Sequence, residues 1–105
     1  MISLRLQQIQ DMLKNEPNDS FLNYALALEL AKENNIPKAI EIIEEILKRD
    51  PDYLGAYYQL GKYYELLQQS DKAIATYQKG IEIAKQQKNS KTLGELNEAL
   101  LMLEE

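Results

Sequence analysis

The chain has 105 residues, 45% of them hydrophobic and 28% charged, with 17 acidic and 12 basic side chains giving a formal net charge of −5. That length allows one modest core, and the dominance of Leu, Ile, Ala, Glu, Lys and Gln over 4 Gly and 3 Pro favours helices and argues against disorder. Cys, His and Trp are absent, which excludes a disulfide frame, thiol chemistry and an imidazole ligand or proton shuttle, while the negative balance argues against nucleic acid or an anionic membrane as partner.

In chain order, the opening Met1-Ile2-Ser3-Leu4-Arg5-Leu6 carries no basic segment followed by an apolar run, so no export signal is expected. No stretch of roughly 20 uninterrupted apolar residues follows, and a soluble, cytoplasmic protein is the expectation. The first helix ends before Pro17 and matches the segment before Pro51: Ile9-Gln10-Asp11-Met12-Leu13-Lys14 against Ile43-Glu44-Glu45-Ile46-Leu47-Lys48. The two prolines are 34 residues apart, a spacing that signals a repeat. The same offset lays Tyr24 on Tyr58, Leu26 on Leu60, Ala27 on Gly61 and Lys38-Ala39-Ile40 on Lys72-Ala73-Ile74.

Within 20–53, Leu26 and Leu30, then Ala39, Ile43 and Ile46, fall at helical spacing; within 54–87, Tyr57, Leu60, Tyr64 and Leu67, then Ala73, Tyr77 and Ile81, do the same. Each repeat therefore reads as two helices. The inner turns are Asn34-Asn35-Ile36, with Pro37 inside the next first turn, and Gln69-Ser70-Asp71, with Ser70 as the cap. Glu16-Pro17-Asn18-Asp19 and Asp50-Pro51-Asp52 separate one hairpin from the next. At the third boundary Lys85 replaces the proline, the polar run 85–90 delays the next helix, and Leu93, Leu96, Leu100 and Leu103 match Tyr57, Leu60, Tyr64 and Leu67 at an offset of 36, as a turn longer by two residues would produce. Short turns make neighbours antiparallel, about six helices in all.

These residues resemble the tetratricopeptide repeat. The family's unit has a large aromatic, Leu followed by a small residue, then Tyr on its first helix, and Ala, an aromatic, a small residue and a final Pro on and after its second. In 54–87 these are Tyr57, Leu60-Gly61, Tyr64, Ala73, Tyr77 and Gly80, with Lys85 departing at the Pro place. In 20–53 they are Leu26-Ala27, Leu30, Ala39, Ile43 and Pro51, with Asn23 and Ile46 the departures. The resemblance implies an all-α, right-handed α-α superhelix as one domain over 1–105: a half-repeat helix in 1–19, repeats in 20–53 and 54–87, and a capping helix in 88–105. The small residues have their own physical logic, since Ala27, Gly61, Ala39 and Ala73 let paired helices approach while large residues fill the gaps.

By resemblance, function resides on a concave face lined by the first helix of each repeat, where a protein or peptide partner binds. By position in the repeat, Tyr24, Leu28 and Ala31, and Tyr58, Gln59, Lys62 and Glu65, would line it. Tyr24, Leu28, Tyr58, Gln59 and Lys62 are the expected contacts, with the two tyrosines as anchors of large area and low entropy cost. Interhelical packing is the alternative for those two, while Tyr57, Tyr64 and Tyr77 occupy core places and Tyr53 and Tyr63 are unassigned. One subclass of the family grips a terminal carboxylate with Lys and Asn; Tyr24, Leu28 and Gln59 stand at those places, so the clamp is absent. Glu41, Glu44, Glu45, Glu104 and Glu105 read as solvating charge, since no His or Gly-rich ligand loop accompanies them. The 4 Gly are scattered and form no phosphate loop. No enzyme, catalytic residue, metal or cofactor is expected. A second reading is a protein that dimerises through its ends: Leu101 and Met102 widen the apolar surface of the last helix, and Ile2, Leu4, Leu6, Ile9, Met12 and Leu13 pose the same question at the start.

Overall fold

The computed structural model describes residues 3–104, so Met1, Ile2 and Glu105 lie outside the described residues, and with them Ile2 of the N-terminal apolar set and Glu105 of the acidic clusters. The described residues form six α-helices and no strand: α1 Leu4–Asn15, α2 Ser20–Lys32, α3 Ile36–Arg49, α4 Gly55–Leu66, α5 Ser70–Gln86 and α6 Ser90–Glu104. The fold class is all-α, as the composition and the repeat pattern implied. The chain divides into two compact units, Met1–Pro51 and Asp52–Glu105.

In the first unit, α1 opens on Ser3, whose hydroxyl accepts from the Leu6 N–H at 3.0 Å, and α2 on Asp19, whose carboxylate accepts from the Leu22 N–H at 2.8 Å. Pro37 sits in the first turn of α3, where no N–H is needed. Asn23, which stands where the repeat pattern has an aromatic, donates from Nδ2 to the backbone oxygens of Pro17 at 3.0 Å and Asp19 at 2.9 Å, tying α2 to the turn before it. α2 packs on α1 and α3, and Leu6, Ile9, Ala27, Ala39, Ile40, Ile43 and Ile46 form the buried interior. Fully burying a side chain such as Ile43 or Ile46 contributes about 1.5 to 3 kcal/mol. Leu26 and Leu30 are only half-buried.

One acid joins this interior. Glu29 is buried, and its Oε1 meets Arg5 Nε at 3.0 Å and Lys32 Nζ at 3.2 Å, linking α1 to α2.

In the second unit, α5 packs on both α4 and α6. Tyr57, Leu60, Tyr63, Tyr64, Tyr77, Ile83, Ala84, Leu96 and Ala99 are buried with the small Ala56, Gly61, Ala73 and Gly80. A Cβ on Gly61 would collide with the Tyr77 ring, and one on Gly80 would lie 2.7 Å from Tyr57 Cβ and 3.1 Å from Leu96 Cδ1. The small residues therefore mark where α4, α5 and α6 approach. The Gln87 amide donates to the Asp52 backbone oxygen at 2.7 Å, joining the end of α5 to the start of the unit.

The structure corrects the sequence reading in four places. Ser70 is the first residue of α5 and not its cap; Gln69 holds that place without a side-chain cap bond. The polar run at 85–90 does not simply lengthen a turn, because α5 continues through Lys85 and Gln86 and has 17 residues where α3 has 14. Leu67 caps α4 at 37% exposure and adds little to the core, and Ile81 is half-buried while Ile83 and Ala84 are fully so.

Candidate functional site

The residues with chemistry to offer are best grouped in the second unit. Tyr58 and Lys62 are one turn apart on α4 and share a face. On α6, Glu95, Glu98, Ala99 and Met102 have the three- and four-residue spacing that likewise places them on one face. These six residues line a cleft of about 110 Å3 between the two helices.

Its aromatic wall is fixed from behind. The Tyr58 ring lies 6.4 Å from that of Tyr77, tilted by 45°, and Lys62 Nζ sits 5.4 Å from the Tyr58 ring centre. Lys62 is also 3.8 Å from a carboxylate oxygen of Glu65, the group that accepts the hydrogen bond from the Tyr77 hydroxyl. Burial, then that hydrogen bond and the nearby negative charge, push the Tyr77 hydroxyl far above its ordinary pKa of 10.0, so it stays protonated as donor. The chain Tyr77, Glu65, Lys62, Tyr58 thus holds one side of the cleft. Across it, Glu95 and Glu98 are exposed, and no ion pair among the described residues includes either.

Of the residues expected on the concave face, the structure brings Tyr58 and Lys62 together here. Gln59 is half-buried on α4 and does not line the cleft. Tyr24 and Leu28 are half-buried on α2 in the first unit, one turn apart. Leu101 and Met102, whose apolar character suggested self-association, are 63% and 66% exposed, and Met102 belongs to the cleft. Glu95, Glu98 and Ala99 were missed. The signal for the two acids was present, since the offset of 36 that aligns α6 with α4 lays Glu95 on Gln59 and Glu98 on Lys62.

A second cleft of about 420 Å3 lies in the first unit at the α1–α2 turn, lined by Met12, Asn15, Glu16, Asp19, Phe21 and Leu22. Phe21 is 66% and Met12 50% exposed beside it. Among the described residues no group of three or more acidic, His or Cys side chains could hold a metal ion, and no helix is long and apolar enough to cross a membrane.

Hairpins packed through small residues, with polar and aromatic side chains left on the first-helix faces, define a helical repeat protein. The chain belongs to the tetratricopeptide repeat family, whose model matches residues 3–84. A TPR repeat-containing protein of Methanocaldococcus jannaschii is 35% identical over 78 residues, which are 74% of this chain and 24% of that protein. This chain thus spans about a quarter of that relative's length. The solution structure of a tetratricopeptide repeat domain protein from Salinibacter ruber superposes with a TM-score of 0.81 at 48% identity, covering 84% of this chain and 89% of that one. The TPR2B domain of yeast Sti1, solved in a complex with pHsp70, shares the fold with a TM-score of 0.86 at 19% identity, covering 94% and 79%.

Proposed function

We propose that this chain is a protein-interaction module, a cytoplasmic adaptor that binds a short segment of another polypeptide on the faces of its first-type helices. The observation that carries the reading is the α4–α6 cleft, where a fixed Tyr58 ring, a flexible Met102 side chain and charged groups on both rims stand open together. Rigid aromatics and adaptable Met surfaces are what peptide recognition uses. Tyr24 and Leu28 on α2 offer a second pair of the same type in the first unit. The complex of the Sti1 domain supports peptide or protein binding as a use of this fold.

The test is selection from a displayed library of short random peptides on the immobilised protein, repeated with Met102→Glu. Met102 is exposed, so this variant should keep its melting midpoint while losing the selected peptides. Undiminished binding by Met102→Glu would place the ligand elsewhere. Tyr24→Ala tests the α2 pair in the same selection.

A second reading, self-association through the end helices, is favoured by the exposure of Leu101 beside Met102 and of Phe21 and Met12 in the other unit. Light scattering across a concentration series decides it: a dimer dispersed by Leu101→Glu would support it, and a concentration-independent monomer would remove it.

A further inference from the structure

We infer, resting on the reading that the α4–α6 cleft receives a peptide, that its ligand is a basic segment presenting an arginine beside an apolar residue. The charge at the cleft is asymmetric. Lys62 is already met by Glu65 at 3.8 Å and leans on the Tyr58 ring, so its charge is largely answered within α4. Glu95 and Glu98 opposite enter no ion pair among the described residues, and as like charges three residues apart on one helix they repel each other. A cation between them relieves that repulsion and gains two carboxylate partners.

The shape selects the kind of cation. A cleft of about 110 Å3 has room for one side-chain head. A guanidinium presents a planar fork of donors to carboxylates, which an ammonium does not. Met102 and Ala99, on the same face of α6, then provide apolar contact for the residue next to the arginine. The net charge of −5 draws a cationic segment in at long range and repels an acidic one.

The experiment measures fluorescence anisotropy with two pools of short fluorescein-labelled peptides of identical apolar composition, one with Arg and one with Glu at the variable polar positions. The Arg pool should bind wild type at least about tenfold more tightly at low ionic strength, a preference that shrinks as salt screens it. The Glu95→Gln, Glu98→Gln double variant should lose the preference; both side chains are exposed, and circular dichroism verifies its fold. Equal binding of the two pools by wild type, with both lost in Met102→Glu, overturns the charge inference and leaves peptide docking intact. Preference for the Glu pool overturns it in favour of Lys62 as the selecting group. Absence of binding by either pool overturns both peptide docking and the preference for arginine.

Discussion

At Gly61 an added methyl carbon would overlap Cε1, Cζ and Cδ1 of the Tyr77 ring, and the ring is held by its bond to Glu65 and cannot yield cheaply. Gly61→Ala should therefore cost about 1 to 3 kcal/mol, the range of overpacked cores, whereas Gly94→Ala on exposed α6 meets nothing within 4 Å and should gain up to ~1 kcal/mol from helix propensity. Urea denaturation of both variants separates packing from propensity. The tyrosines set a second prediction. Burial raises Tyr63 and Tyr77 above the ordinary 10.0, so above pH 10.0 the unfolded chain releases protons that the folded chain keeps. Stability is intact below that pH and falls as pH rises past it; Tyr63→Phe should flatten the fall in an alkaline melting series, and an unchanged slope would contradict it. Tyr57, Tyr64 and Tyr77 were legible as core residues from their places in the repeat. Tyr63 was not, because α4 is covered over more of its circumference than a single apolar stripe assumes.

Three helices, α2, α4 and α5, stop by a shared device. Asn34, Gln68 and Lys88 have φ values of 63°, 59° and 57°, and in each case the next residue's N–H reaches back to a carbonyl of the last turn: Asn35 to Leu30 at 2.9 Å, Gln69 to Tyr64 at 2.9 Å, Asn89 to Ala84 at 3.0 Å. Left-handed backbone costs a residue with a Cβ roughly 1 kcal/mol, so Gln68→Gly should stabilise by about that amount in thermal melts. No sequence cue marks Gln68 or Lys88 as helix ends, since Gln and Lys favour helix interiors, and the same preference at Lys85 and Gln86 carries α5 past the expected stop. Leu6 and Ile9, which raised the question of self-association in the sequence, are instead buried within the first unit, and the ion pairs of Glu29 were not legible because it looks like any surface acid in a one-dimensional pattern. Arg5 is 67% exposed, so its contact with Glu29 is well screened, and Arg5→Ala should cost no more than ~1 kcal/mol.

Across the whole chain, helix number and the two complete hairpins follow from a 34-residue period, because each hairpin needs small residues where its helices approach, Ala27 and Ala39 in the first and Gly61 and Ala73 in the second, and large ones to fill the gaps. The cleft was half legible. Repeat position pointed to Tyr58 and Lys62, while Glu95, Glu98 and Ala99 come from the helix beyond the regular period and become partners of α4 only once α5 has packed on both helices. Docking of a basic peptide segment on the α4–α6 face is tested most directly by an amide chemical-shift titration of the labelled protein with the Arg-bearing peptide pool. Saturable shifts should concentrate at Tyr58, Lys62, Glu95, Glu98 and Met102; shifts confined to other helices, or none at saturating peptide, would contradict that docking.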